Sequence, residues 1–256
     1  MKLIDLSRCI EEGIPSDPPH HIPKFTHETH EMGVERMLKT FPGCKREDLP
    51  NGLAWASETI SLNTHTGTHL DAPYHYSPTM NKGEPSATID EIPLEWCFGD
   101  GVKFDFSHRK HGELLHARDF QEALDKMEYT LKPMDIVLVQ SGAAPLWGTA
   151  QYKDAGVGMG REATLWLLEQ GVRVTGTDAW SWDRPFCFTQ DYIKETGDMS
   201  AIWEGHFAGI DIGYCHMEKI CNLELLPAFG FKVACFPIKI KRATAGWVRP
   251  VAFLSE

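Results

Sequence analysis

The chain has 256 residues, 42% hydrophobic and 24% charged, with a formal net charge of −11. That acidity argues against nucleic acid and anionic membrane surfaces as partners, because both select basic protein surface. No run approaches the ~20 apolar residues that span a bilayer, and the length suits one substantial core.

Residues 1–8 read as a first strand. Asp5 and the lack of a long apolar stretch do not fit a signal peptide. Residues 15–55 are punctuated by Pro15, Pro18, Pro19, Pro23, Pro42 and Pro50. They predict a long irregular segment with one helix near residues 32–39, and long ordered segments of this kind are often binding elements. Residues 101–106 alternate as a strand does. Phe120, Ala123, Leu124 and Met127 have helical spacing and predict a helix over 117–127. Residues 135–140 form a continuous apolar run, as in a strand buried on both faces. Residues 161–170 read as a helix capped by Gly171, running straight into a strand at 172–177. A last strand is expected over 232–240, with Pro237 marking an edge or a bulge. No repeat or domain boundary interrupts this order, so one mixed α/β domain over 1–256 is expected.

Seven cysteines (Cys9, Cys44, Cys97, Cys187, Cys215, Cys221 and Cys235) are scattered without a CxxC pair. An odd number without a secretory signal predicts reduced thiols and a cytoplasmic setting.

The chemistry concentrates in His65-Thr66-Gly67-Thr68-His69-Leu70-Asp71-Ala72-Pro73-Tyr74-His75. Imidazoles and a carboxylate suit zinc, manganese or ferrous iron, and suit calcium poorly. If residues 69–71 are extended, His69 and Asp71 leave the same face. Gly67 lets the backbone turn so that His65 can join them. A three-ligand site leaves positions open for water and substrate, which distinguishes a catalytic metal from a structural one.

This stretch matches HxGTHxDxPxH at every fixed place, and the chain there resembles the cyclase-like metal-dependent hydrolase family. That family includes bacterial kynurenine formamidases, isatin hydrolases and a dienelactone hydrolase. The likeness extends to Asp5-Leu6-Ser7, to Ser141-Gly142 after a strand, and to the run from Gly171 to Asp178. His206 and Glu218 stand twelve positions apart, as the family's second ligand pair does. The resemblance implies a swivelling β/β/α fold with a mixed sheet, assembled as a homodimer or homotetramer. It implies one or two Zn2+ or Mn2+ ions per chain: His65, His69 and Asp71 on the first, and Asp71, His206 and Glu218 on the second. It implies His75 as proton donor and acceptor, a task its ordinary pKa of ~6.5 suits. Glu218 would orient water or complete the second metal site. The activity implied is hydrolysis of an amide, lactam or lactone of a small, aromatic or cyclic substrate. Pro15-Ser16-Asp17-Pro18-Pro19 stands where formamidases carry a P-x-W-P-G stretch, so the substrate within that range stays open. Trp147, Tyr152, Trp180 and Trp182 are weighed equally as substrate-facing or packing residues.

Two other classes compete. His69, Asp71 and His206 spell the HxD…H facial triad of ferrous oxygenases. Lys219, however, is the first basic residue after His206, and His65 and His75 would have no role. A non-catalytic protein stabilised by metal is the other. Elsewhere, the His27–His30 pair lacks HExxH spacing, and residues 156–160 read as a flexible approach to the helix at Arg161. His108, His111 and His116 are expected on the surface. His216 is read as a surface or packed histidine ahead of a role behind the ligands.

Overall fold

The computed structural model describes residues 1–255. The elements follow in the order β1 (Lys2–Asp5), β2 (Lys24–Glu28), α1 (His30–Thr40), β3 (Ser57–Ser61), β4 (His69–Asp71), α2 (Pro73–Tyr76), β5 (Thr79–Met80), β6 (Glu84–Pro85) and β7 (Phe98–Asp105). Then come β8 (Leu114–Leu115), α3 (Ala117–Met127), β9 (Ile136–Gln140), β10 (Gly158–Met159), α4 (Arg161–Glu169), β11 (Val174–Thr177), α5 (Phe186–Thr196) and α6 (Glu204–Phe207). The chain closes with β12 (Cys215–Glu218), β13 (Phe231–Ala234), β14 (Ala245–Trp247) and β15 (Val251–Leu254).

One mixed sheet runs in the order β1-β15-β13-β7-β9-β11-β12-β4-β14. Its middle strands β7, β9, β11 and β12 are parallel, and the flanks on both sides are antiparallel. The sheet curls far enough to join its two halves: Cys221 N donates to Leu6 O (2.9 Å) and Arg8 N to Thr68 Oγ1 (2.9 Å). The apolar run of β9 shows why both faces are covered. Ile136 and Leu138 enter the core inside the curl with Leu70, Val174, Met217 and Val233. Val137 and Val139 enter a second core with Phe104, Phe120, Leu124, Leu167 and Leu168, beneath α3 and α4. Alternation along a strand buried on both faces gives this division.

Helix α3 keeps the predicted bounds, and the chain leaves it through Glu128 in the left-handed region (φ 53°). Helix α4 ends at Glu169, and Gly171 (φ +92°) turns the chain toward β11. The irregular segment is more ordered than its prolines suggest: α1 spans the expected helix, and β2 pairs antiparallel with β3.

Two expectations are corrected. The last predicted strand stops at Ala234, because Pro237 has no N–H for a ladder. The chain beyond it turns aside, and Ile238 N donates to Trp247 O (2.9 Å). Residues 156–160 are not a flexible approach: Val157, Gly158 and Met159 are buried, and β10 pairs in parallel with β8. Among the described residues no helix is long and apolar enough to cross a membrane.

Gly158 sits where the Asp183–Arg184 backbone passes closest. A Cβ on it would meet Arg184 N at 2.0 Å and Arg184 Cα at 2.1 Å. Backbone cannot yield as a side chain can, so Gly158→Ala is expected to lower stability by about 3 kcal/mol, the upper range for overpacking. Urea unfolding monitored by tryptophan fluorescence measures it; an unchanged midpoint would contradict this packing.

Candidate metal centre

The centre is built by strand register. Strand β4 pairs antiparallel with β12, setting His216 opposite Asp71, Met217 opposite Leu70 and Glu218 opposite His69. Leu70 and Met217 turn into the core inside the curl. The alternation of strands therefore puts His69, Asp71, His216 and Glu218 together on the other face. Gly67, at φ +63°, supplies the left-handed turn that brings His65 back over the strand.

The side chains converge as follows. His65 Nδ1 lies 2.9 Å from Asp71 Oδ1, and His69 Nε2 lies 3.3 Å from the same oxygen and 3.5 Å from Glu218 Oε2. On the other side, His206 Nε2 lies 3.9 Å from Asp71 Oδ2 and 3.8 Å from Glu218 Oε1. His75 stands at the edge, its Nε2 3.8 Å from Asp71 Oδ2 and its ring centroid 4.1 Å from that of His65. The structure thus brings together His65, His69, Asp71, His75, His206 and Glu218.

Partners behind the rings fix which nitrogen faces inward. His69 Nδ1 is 2.8 Å from Gly67 O, and a carbonyl can only accept, so Nδ1 carries the proton and Nε2 presents a lone pair. His206 Nδ1 bonds Asp183 Oδ2. The same carboxylate accepts from Gly205 N (2.7 Å) and His206 N (3.1 Å), capping α6 and orienting its histidine. A metal-ligating imidazole is ordinarily held in this way.

The donor set fits a divalent cation. Asp71 is fully buried, and neither of its carboxylate oxygens has a hydrogen-bond partner; nor has His69 Nε2. Contacts near 3 Å that lack hydrogen-bond geometry are what ligands around a shared ion show. Donors about 2.1 Å from one ion stand about 3.0–3.4 Å apart in octahedral or tetrahedral shells. Burial would raise the Asp71 carboxyl, but His75, His65 and His69 hold it well below the usual carboxylate range. Burial likewise opposes ionisation of Glu218, yet its contact with His216 takes it down to about 2. For His75 burial wins: with His65 and His206 alongside, its pKa falls to about 3 despite Asp71.

Sequence reasoning misplaced or missed several residues. His216 is no surface histidine. It is fully buried, its Nε2 3.1 Å from Asp71 Oδ2 and 3.2 Å from Glu218 Oε1. The signal available was its i, i−2 relation to Glu218, which puts both on one face of a strand. Asp183 and Trp203 carried no local signal. Trp203 stacks on His206 at 4.2 Å and meets the His75 ring edge-on at 5.0 Å. Of the four aromatics weighed, Tyr152 and Trp182 are fully buried packing residues. Trp180 bonds Asp17 Oδ1 through Nε1 (2.9 Å), and Trp147 packs beneath Arg8. His27, His30, His108, His111 and His116 are all exposed, apart from this cluster.

Three comparisons bear on this geometry. The sequence profile of the family described as "Putative cyclase" matches residues 4–184. A kynurenine formamidase from Salinibacter ruber is 27% identical over 199 residues, covering 75% of this chain and 77% of its own. The isatin hydrolase A of Labrenzia aggregata superposes with a TM-score of 0.77 at 21% identity, covering all of this chain and 94% of its own. The isatin hydrolase A of Ralstonia solanacearum gives 0.74 at 20% identity, over 99% and 92%.

Removing Asp183 tests the orienting role. Asp183→Asn keeps the shape and exchanges a charged acceptor for an amide. It is expected to weaken divalent-metal binding about 10–100-fold. Isothermal titration of the chelator-stripped protein measures this, and unchanged affinity would contradict it.

Proposed function

The chain belongs to the cyclase family, and on that premise we propose that it is a metal-dependent hydrolase cleaving the C–N or C–O bond of an amide, lactam or lactone in a small aromatic or cyclic substrate. The observation that carries this reading is the pair of buried carboxylates, Asp71 and Glu218, faced by inward imidazole nitrogens and open on the side of His65 and His75. The kynurenine formamidase and isatin hydrolase relatives support the substrate class.

His65, His69, Asp71, His206 and Glu218 hold one or two ions, zinc or manganese by donor type. The ion supplies a Lewis acid for the carbonyl oxygen and lowers the pKa of water toward ~7. The protein's residues do the rest. Asp183 and the Gly67 carbonyl fix His206 and His69 before substrate arrives, so no reorganisation is needed during reaction. His75 is half-buried and neutral at physiological pH. Its Nε2 accepts a proton from the attacking water and returns it to the departing nitrogen or oxygen. The half-buried Trp203 sets an apolar ring beside His75.

The facial-triad reading gains nothing from the structure. Lys219, the residue it would need for a co-substrate, is fully engaged: Nζ donates to Asp17 Oδ1 (2.6 Å) and His65 O (2.8 Å).

The wider reading has support of its own kind. One domain is supported by a sheet that holds both β1 and β15. A cytoplasmic setting is supported by seven free cysteines. The homodimer or homotetramer rests on the family resemblance.

The direct test is a panel of formamides, lactams and lactones assayed with stripped protein and with zinc- or manganese-loaded protein. Turnover of at least one class should appear only with metal. Metal bound stoichiometrically without turnover of any class would favour a structural metal. Within this scheme, His75→Ala should keep its metal and lose turnover by about 10²–10⁴-fold. The loss should be smaller for good leaving groups. Metal analysis and steady-state kinetics check both parts, and full activity on a poor leaving group would remove His75 from the mechanism.

A further inference from the structure

The two carboxylates divide the cluster in two. Asp71 Oδ1 and Glu218 Oε2 face His65 and His69, whereas Asp71 Oδ2 and Glu218 Oε1 face His206 and His216. On the second side Asp71, His206, His216 and Glu218 each offer an atom within 4.8 Å of all the others, and all four residues are buried. We propose that His216 is itself a metal ligand, completing with His206, Asp71 and Glu218 a four-donor site beyond the His-Asp-Glu set implied by resemblance. The proposal rests on the metal-dependent reading above.

Three observations carry it. His216 Nε2 is nearly equidistant from the two carboxylates, at 3.1 and 3.2 Å, though they come from different strands. One N–H aims at one acceptor, and it leaves Asp71 Oδ2 without a hydrogen bond. An ion at the common centre satisfies both oxygens and the nitrogen together.

The second observation is the far side of the ring. His216 Nδ1 is 3.1 Å from Tyr76 Oη and 3.3 Å from Tyr214 Oη. Tyr214 Oη already donates to Gly205 O (2.9 Å), so toward Nδ1 it can only accept. That arrangement lets Nδ1 keep its proton while Nε2 gives up its own to an incoming ion, the form in which imidazole binds metal.

The third is packing. The ring stacks with Tyr76 (centroids 5.2 Å apart, 14° between planes) and with Trp182 (6.0 Å, 19°), both buried. It cannot swing away from the carboxylates, and a preorganised ligand binds with little ordering cost.

The competing arrangement has a proton on Nε2 donated to Glu218, with Tyr76 donating to Nδ1. The two differ at one atom, which nitrogen-15 spectroscopy of histidine-labelled protein reads directly. On zinc titration of the intact protein, the Nε2 resonance of His216 should move to the position of a metal-bound imidazole nitrogen, as those of His69 and His206 do. His216→Leu should then lose one ion, or bind it at least about 100-fold more weakly, because even groups behind the ligands cost about 10–100-fold. Tyr214→Phe, which keeps the ring as ligand, should weaken the same ion less. If His216→Leu does not fold, the wild-type spectrum decides alone. A His216 Nε2 that stays protonated in zinc-loaded protein, or a folded His216→Leu with unchanged stoichiometry and affinity, overturns the proposal and leaves the hydrolase reading standing. No zinc binding at all would end both.

Discussion

The antiparallel pairing of β4 with β12 is the constraint on which the rest depends. Three residues of β4 lie opposite three of β12, and that short register decides two things at once. It seals the core with Leu70 and Met217, and it gathers four polar donors on the opposite face. A slip of one residue would exchange the faces, putting carboxylates in the core and apolar chains in the site. Core and site therefore specify each other. The parallel strands behind β12 hold the register: β11 pairs with both β9 and β12, and hydrophobic residues cover both faces of β9.

Such a face is costly without an ion. Placing a carboxylate in a protein interior costs several kcal/mol even after relaxation. Here Asp71 and Glu218 lie side by side with almost no solvent contact. The surrounding histidines offset part of this by taking up protons: burial opposes it, but the two carboxylates raise His216 to about 9. A divalent cation offsets it more completely, with the inward imidazole lone pairs as its ligands. On the function proposed above, the same centre would serve folding and chemistry, since what binds the folded state alone stabilises it. The outer contacts follow the same logic. Asp183 and the Gly67 carbonyl hold the outer nitrogens of His206 and His69, and Lys219 pins the Asp17 loop to the carbonyl of His65.

What the sequence made legible followed from local rules. The 65–75 stretch shows its donors, its turn glycine and its spacing in one place. The helices at α3 and α4 and the strand at β9 are visible in apolar periodicity, because periodicity records which side is buried. What stayed hidden depends on contacts between distant residues. Asp183 matters through a helix end twenty-odd positions on, and Trp203 through stacking on His206. His216 looked ordinary because its partner, Asp71, lies on a strand far earlier in the chain. The strand foreseen through Pro237 failed for a backbone reason, the missing N–H, which overrode a good apolar pattern. Residues 156–160 looked mobile because glycine permits both freedom and close approach. The structure uses the second, at Gly158 against Arg184.

The central claim is that Asp71, shared between both halves of the centre, carries the metal. Titration of manganese into chelator-stripped wild-type protein and Asp71→Asn, followed by calorimetry, tests it most directly. The asparagine keeps the shape and hydrogen-bonding size of the side chain and removes its charge and its second ligand oxygen. Wild type should bind tightly, and Asp71→Asn should bind at least about 100-fold more weakly while remaining folded, since the loss exceeds that for a residue behind the ligands. Equal affinity in the two proteins would contradict the account.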